Sequence, residues 1–126
     1  MVIKLSNASE KPIYEQITEQ LKAAILSGKL LSNDALPSIR SLAKDLKISV
    51  MTTKRAYADL ERDGFIETVA GKGSFVAERN QDFLRDELLR QAEEHLVKAI
   101  QIAKTANMSK QELIDLLLLL LEEEME

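Results

Sequence analysis

The first 64 residues alternate three stretches of helical periodicity with short polar turns. In KPIYEQITEQLKAAILSGKL, apolar residues recur every three to four positions, with Pro12 in the first turn and Gly28 as a stop. PSIRSLAKDL presents one apolar face behind Ser38, a typical N-cap residue. After KIS breaks the pattern, VMTTKRAYADLERDG resumes it, with Ser49 as N-cap and Gly64 as the stop. The pattern predicts three helices, of which the third follows the second almost at once.

Two short β-type segments follow the third helix. FIETV and SFVAE are separated by AGKG, in which Gly71 and Gly73 allow the positive φ angles of a tight turn. Three helices followed by a two-stranded hairpin are typical of a winged helix-turn-helix. The sequence therefore predicts a mainly α-helical first domain, residues 1–78, with a small β-hairpin wing; we call this part the head.

The remaining residues, 79–126, carry helical periodicity that the head is too small to cover, and we call them the tail. From Asn80, an expected N-cap, apolar residues repeat over about 26 residues, roughly 40 Å of helix. The next segment opens with Ser109 and Glu112 in a capping-box pattern and runs into six consecutive leucines, which face every side of a helix. Two such helices cannot enclose each other. We therefore predict a two-helix C-terminal dimerisation element that packs on a second copy about a two-fold axis.

The predicted homodimer interface consists of apolar residues on the two tail helices. The leucine run is well short of the roughly 20 residues that a membrane span needs, so we expect it to be buried against protein and expect no membrane association. The interface residues are Leu88, Leu96, Ile100, Leu113, Leu116, Leu117, Leu120 and Leu121.

The head and the tail also differ in net charge. Residues 1–78 contain 11 Lys/Arg and 10 Asp/Glu, whereas residues 79–126 contain 6 and 11. The net charge of -4 therefore arises in the tail, and a local basic surface on the head remains compatible with it. The chain has no cysteine for a disulfide or a thiolate metal site. The start MVIKLSNASEKP lacks the apolar segment of a signal peptide, so we expect a cytoplasmic protein.

The polar positions that the third helix does not need for packing suit double-stranded DNA. A helix that enters the major groove presents its N-terminal residues to base edges while its other face packs on the domain. Hydroxyls and cations there suit bases and phosphates, and Val50 and Met51 suit thymine methyl groups. Arg40 on the second helix can form a bidentate pair with guanine or phosphate, and Lys44 on the same face is expected to contact phosphate.

The tip of the hairpin adds a second expected contact region. Lys72, between two glycines, would enter or straddle a minor groove, while the backbone of Gly71 approaches a phosphate. All the expected DNA-binding residues belong to the head. They are Ser38, Arg40, Lys44, Ser49, Val50, Met51, Thr52, Lys54, Arg55, Gly71 and Lys72.

At PIYEQI, LPSIRSLA, TTKRAYADLERDGFIET and GKGSFV, the chain resembles the GntR family of bacterial transcription regulators, over roughly residues 10–78. The short two-helix tail resembles the YtrA-like subfamily, whose members are typically dimeric repressors, often encoded beside ABC-transporter genes. The resemblance implies a sequence-specific transcription regulator, a homodimeric repressor on a palindromic operator, with transporter genes as the expected targets.

The resemblance also assigns individual residues. It places Arg40, Ser49, Thr52, Lys54 and Gly71 at DNA-contact positions of the family. Many members carry a base-contacting arginine where this chain has Val50. The chain is therefore expected either to recognise a different operator or to place more of the discrimination on Arg40 and Arg55.

The sequence is also compatible with a protein-binding function instead of a DNA-binding one. The head could bind a protein, with the tail as a scaffold, because a fold alone does not dictate DNA binding. The overall acidity favours this alternative slightly, and the outward cations oppose it.

We expect no enzyme, metal or cofactor, because the chain shows no nucleophile with its base, no nucleotide loop and only one histidine, His95. A small-molecule effector of unknown identity would sit between subunits or between head and tail.

Overall fold

The computed structural model describes residues 2–78 and 81–125, and the chain forms two compact units, Met1–Asn80 and Gln81–Glu126. The predicted boundary at residue 79 and the expected N-cap at residue 80 lie outside the described residues. The mainly α-helical fold with one antiparallel hairpin is confirmed. In chain order, the elements are α1 (Ile13–Leu26), α2 (Ile39–Leu46), α3 (Val50–Arg62), β1 (Ile66–Val69), β2 (Gly73–Val76), α4 (Gln81–Thr105) and α5 (Lys110–Glu124).

The head is built around α3, on which both α1 and α2 pack. α1 buries apolar side chains spaced four residues apart, as its sequence pattern predicts, and α2 buries Leu42 and Ala43, with Ile39 and Leu46 half-buried on the same side. Phe65 and the paired ends of the hairpin complete the core, because α3 ends next to β1. The buried apolar residues of this core include Ile17, Leu21, Ile25, Leu42, Ala56, Leu60, Phe65, Ile66 and Val76.

The residues before α1 run along that helix and are held by two glutamine side chains. The amide of Gln20 accepts from the N–H of Lys4 at 2.9 Å and donates to its carbonyl at 2.8 Å. Gln16, which is buried, forms the same two-way pair with Ser6, at 2.9 and 3.0 Å. Pro12 corrects our expectation: it is the N-cap residue of α1 rather than part of its first turn, because its ψ of 151° is extended.

The wing is anchored on both edges of β2. On one edge, β1 pairs with β2 in antiparallel register from Ile66 opposite Val76 to Val69 opposite Gly73. On the other edge, the segment before α2 bonds to β2: Asn33 N–H donates to the Val76 carbonyl at 2.8 Å, and Leu36 N–H to the Ser74 carbonyl at 2.9 Å. This second pairing fixes the wing relative to the start of α2.

The tail consists of the 25-residue α4 and the 15-residue α5. The predicted capping box is confirmed, since the Ser109 hydroxyl accepts from the N–H of Glu112 while the Glu112 carboxylate accepts from the N–H of Ser109. Among the described residues, α4 and α5 share no extended packing surface. In the isolated chain, seven of the eight predicted interface residues remain 39–51% exposed, and Leu113 is half-buried. No helix within the described ranges has the length and apolar character that crossing a membrane requires.

Candidate nucleic-acid interface

Three residues separate α2 from α3, and their conformation determines where the N-terminus of α3 lies. Lys47 takes the left-handed conformation, with φ +56°, and the N–H of Ile48 then donates back to the carbonyl of Ala43 at 3.0 Å. Ser49 is already the N-cap of the next helix. This is the tight connection of a helix-turn-helix, and it leaves the first turn of α3 at the surface of the head.

The serines predicted as N-caps perform that task in the structure. Ser38 Oγ accepts from the N–H of Ser41 at 3.0 Å, and Ser49 Oγ accepts from the N–H of Thr52 at 3.0 Å. Ser49 Oγ also lies 2.8 Å from Thr52 Oγ1, and the carbonyl of Ser49 accepts from Thr53 Oγ1 at 3.2 Å. A hydroxyl carries one donor and two acceptor sites, so one proton of the Ser49–Thr52 pair remains to be donated to a ligand.

Two apolar residues stand exposed in the first turn of α3. Val50 is 45% exposed and Met51 72% exposed, although the other exposed residues of this helix, apart from Ala58, are charged. Exposed apolar groups at the N-terminus of such a helix fit contact with thymine methyl groups. Their proposed role in DNA contact stays a prediction.

The exposed cations of the candidate interface have no carboxylate partner among the described residues. Elsewhere in the head, Lys22 pairs with Asp63 at 3.1 Å and Arg62 with both Asp59 and Asp63 at 3.3 and 3.2 Å, whereas Lys4, Lys29 and Lys47 also lack an ion pair within the described ranges. The cations without an ion pair within the described ranges include Arg40 and Lys44 on α2, Lys54 on α3 and Lys72 on the wing. Their charge is therefore available to an anionic ligand.

Arg55 has a ring contact that the sequence pattern did not indicate. Its guanidinium lies 3.7 Å from the centre of the Tyr14 ring on α1. The sequence predicts Arg55 as a DNA-binding residue and gives no role to Tyr14. No sequence signal beyond the presence of both residue types would have identified this pair, because the two residues are 41 positions apart in the chain and lie on different helices.

The tip of the wing is exposed at Gly71 and Lys72, as predicted. The turn is closed by a bond from the N–H of Lys72 to the carbonyl of Val69 at 2.9 Å. Gly71 has φ +76°, yet a Cβ there would meet no atom within 4 Å. Glycine is therefore required here by backbone conformation and not by space, and the open surroundings leave room for another molecule to approach the backbone.

Tyr57 fixes the relative position of α2 and α3. It is 3% exposed, and its hydroxyl donates to the carbonyl of Pro37 at 2.7 Å, just before α2 begins. Burial raises the pKa of Tyr57 from 10.0 to about 12. The position of α2 and α3 in the candidate interface therefore depends on a neutral phenol in the core of the head.

Tyr57 should make the stability of the head depend on alkaline pH. Because its folded pKa is raised, the unfolded chain loses the phenolic proton first, so stability should fall as the pH rises from about 10 to about 12, by at most about 3 kcal/mol. Tyr57→Phe should lose about 1–2 kcal/mol near pH 8, where the hydrogen bond to Pro37 is intact in the native protein. Urea unfolding of both proteins at pH 8 and pH 11 should show that the difference in their free energies of unfolding is smaller at pH 11. An equal difference at both pH values would contradict the stabilising role of the neutral Tyr57 phenol.

No group of three or more histidines, cysteines or carboxylates within the described residues is arranged to hold a metal ion. His95 lies exposed on α4.

Comparison with known proteins identifies relatives that cover most of the chain. The family model for bacterial regulatory proteins of the gntR family matches residues 13–76. The HTH-type transcriptional regulator YhcF of Bacillus subtilis is 38% identical over 109 residues, covering 85% of this chain and 88% of that protein. The HTH-type transcriptional repressor YtrA of the same organism is 35% identical over 112 residues, covering 89% and 86%.

Solved structures show the same architecture. A transcriptional regulator from Oenococcus oeni aligns with a TM-score of 0.78 at 25% identity, over 93% of this chain and 97% of that one. YtrA from Sulfolobus acidocaldarius aligns with a TM-score of 0.59 at 32% identity, over 98% and 100%. The DNA-binding domain of AraR, in complex with operator ORX1, aligns with a TM-score of 0.53 at 32% identity, over 61% and 95%.

Proposed function

The chain belongs to the GntR family of bacterial regulatory proteins, and we propose that it acts as a homodimeric repressor that binds a palindromic operator. Its relatives are transcription regulators, so it is a DNA-binding transcription regulator and not an enzyme. The relatives YtrA and NagR of Bacillus subtilis are named repressors, which supports repression as the direction of control.

The observation that carries the proposed DNA contact is the set of cations without carboxylate partners on α2, α3 and the wing. Phosphate neutralisation by Lys and Arg supplies most of the non-specific affinity of a protein for DNA. The head has 11 Lys/Arg and 10 Asp/Glu, yet none of its ion pairs within the described residues uses a cation of this surface. A surface that binds phosphates needs cations whose charge is not already neutralised. Four cations of this surface have no ion pair among the described residues: Arg40, Lys44, Lys54 and Lys72.

We assign different tasks to the residues of this surface. Arg40 and the first turn of α3 would contact base edges, because a guanidinium forms a bidentate pair with guanine and because recognition helices present their N-termini to the groove. Ser38, Lys44 and the wing, through Gly71 and Lys72, would contact phosphates and fix the register of the head. Val50, where many family members have arginine, would shift the base preference toward thymine.

The proposed dimer rests on the tail. The apolar side chains of α4 and α5 are left exposed by the single chain, and a second copy is the simplest surface that could cover them. A two-fold axis through paired tails would present two copies of α3 to one DNA duplex. The half-sites would then be palindromic and separated by about one helical turn, 10–10.5 base pairs, or a small multiple of it.

The proposal has three further features, of which only the first follows from the resemblance to YtrA-like regulators. The regulated genes would encode a transporter. The site of action would be the cytoplasm, where the chromosome is accessible. A small-molecule effector would act by binding two arrangements of the dimer with different affinities, which would change the separation of the two copies of α3.

We expect Arg40→Ala and Lys44→Ala to weaken DNA binding in two distinguishable ways. Loss of Arg40 should reduce operator affinity by about 1–3 kcal/mol and relax the preference at one base pair. Loss of Lys44 should weaken binding to all sequences alike and flatten the plot of log K against log salt by about one unit. The operator is first selected from a random-sequence library, and each variant is then titrated with operator and with random duplex at several salt concentrations.

The wild-type titration tests the proposal as a whole. A DNA-binding head gives a steep negative salt dependence, whereas a head that binds only protein gives none. If the wild type binds DNA but both variants match it in affinity and slope, the assigned groove face is wrong. Lys11→Ala is the matched control, because Lys11 is exposed and already paired with Glu19 at 2.7 Å; it should retain wild-type binding.

A further inference from the structure

Among the described residues of the head, two cations lie over aromatic rings, and only one of these two also pairs with a carboxylate. Lys22 Nζ lies 5.2 Å from the centre of the Phe65 ring and is also paired with Asp63 at 3.1 Å. Arg55 lies 3.7 Å from the centre of the Tyr14 ring and has no carboxylate partner among the described residues. The first contact is neutralised within the head, and the second is not.

Stacking on a ring constrains a guanidinium without using its donors. The group is planar, and its five N–H bonds point outward in that plane, so one face can lie on an aromatic ring while the edge stays open to oxygen acceptors. Arg55 is exposed, and Tyr14 is half-buried where α1 packs on α3. The ring therefore restricts the orientation of the Arg55 side chain while its edge remains accessible.

The position of Arg55 on α3 places it beside the candidate interface. It follows Met51 by four residues and Thr52 by three, so these side chains neighbour one another along one side of the helix. Met51 is exposed in the first turn, and Arg55 is exposed one turn later, on the side where the Tyr14 ring lies. A DNA backbone that follows the groove past the first turn of α3 would meet this cation.

We propose that Tyr14 is a positioning residue for DNA binding: its ring holds the Arg55 guanidinium with its edge directed to a backbone phosphate at the flank of α3. This inference rests on the proposed function and deepens it. A flexible arginine loses side-chain freedom when it binds a phosphate, and a guanidinium already stacked on a ring has less freedom left to lose. Tyr14 therefore raises DNA affinity through Arg55, without a requirement for its own hydroxyl.

The test compares Tyr14→Leu with Tyr14→Phe, alone and combined with Arg55→Ala. Tyr14→Phe keeps the ring and should bind operator within about two-fold of the wild type, whereas Tyr14→Leu should bind about three- to ten-fold more weakly. Arg55→Ala should weaken binding and flatten the salt dependence by about one unit. In the Arg55→Ala background, Tyr14→Leu should have no further effect on affinity, because the group that it positions is gone.

Several results would overturn the proposal. Arg55→Ala with wild-type affinity and salt slope would show that Arg55 does not meet phosphate. Tyr14→Phe as weak as Tyr14→Leu would assign the effect to the hydroxyl, and an undiminished effect of Tyr14→Leu beside Arg55→Ala would show that the two residues act separately. A purely structural pair would lower the melting temperature of Tyr14→Leu and leave operator affinity unchanged. If Tyr14→Leu does not fold, Arg55→Lys decides in its place: lysine keeps the charge but lacks the planar group that stacks on the ring, so it should lose about three- to ten-fold in affinity, and wild-type affinity of Arg55→Lys would overturn the proposal.

The failure of this inference is distinguishable from that of the proposed function. Absence of salt-dependent DNA binding by the wild type would overturn both. Salt-dependent binding that responds to Arg40→Ala and Lys44→Ala, but not to Arg55→Ala or Tyr14→Leu, would overturn the role of Tyr14 alone.

Discussion

Leu96→Glu should turn the protein into a monomer and weaken operator binding by about 100-fold or more. Leu96 is 51% exposed in the single chain, and its neighbours along the same side of α4 are Ala92, Ala99, Ile100 and Ala103. In the proposed dimer, each subunit would bury one new carboxylate against apolar side chains, at several kcal/mol each. Two heads in one dimer bind an operator more tightly than separate heads, by about 100- to 10,000-fold for linked sites. Separation of the subunits removes this gain in affinity. Analytical ultracentrifugation and operator titration measure the two effects.

Gln101→Glu is the matched control for this change. It adds the same charge to the same helix at an exposed polar position, about 140° around the helix axis from Leu96 at 100° per residue. It should leave both the dimer and operator affinity intact. A Leu96→Glu protein that sediments as a dimer would contradict the assigned interface. A monomer that binds operator as tightly as the wild type would contradict the requirement for two heads on one site.

Helix boundaries in the head were predictable because local chemistry decides them. Ser38 and Ser49 each accept a hydrogen bond from the backbone N–H three residues later, and this bond can form in any chain with that spacing. Gly64 follows α3 with φ +79°, a conformation that glycine adopts without strain. Capping by Ser109 and the turn at Gly71 obey the same local rules, so a single sequence is enough to place them.

Contacts between distant segments were not predictable, since several partners were equally compatible with the pattern. Nothing in SNDALP indicates that Asn33 and Leu36 bond to the free edge of β2, about 40 residues later. The two-way amide pairs of Gln16 and Gln20 imitate a neighbouring strand, which side-chain type alone does not reveal. The stacking of Arg55 on Tyr14 requires that α1 and α3 pack at one particular register.

In the tail, the sequence predicted that apolar surface exists but not how it is covered. In an amphipathic helix, the polar side is exposed, so the opposite side is predicted to be buried. This rule does not apply to α5, because leucines lie around most of its circumference. Ile114, Leu118 and Leu119 are 49%, 55% and 53% exposed, about as much as the residues we assigned to the interface. The sequence therefore predicts a partner for α5, while the exact set of residues that the partner touches depends on the packing of two chains.

Phe65→Ala should remove about 3–5 kcal/mol from the stability of the head, a large part of the roughly 5–15 kcal/mol that a domain has. The side chain is fully buried, at 0% exposure, and the residue joins three parts of the fold. Its N–H donates to the carbonyl of Leu60 at the end of α3, at 2.8 Å, and its carbonyl accepts from Ala77 after β2, at 3.0 Å. Lys22 lies over its ring. Urea unfolding followed by fluorescence or circular dichroism measures the loss.

Phe75→Ala provides the comparison that separates burial from residue type. Phe75 lies on β2, is half-buried and is paired across the isolated bridge with Ala35, so the same truncation should lose less than half as much stability. Because Phe65 connects α3 to the wing, its loss should also weaken operator binding at temperatures where the wild-type head is folded. Equal losses of stability for the two variants would show that Phe65 is not the packing centre of the head. If Phe65→Ala bound operator as tightly as the wild type at those temperatures despite its loss of stability, DNA binding would not depend on the α3–wing junction.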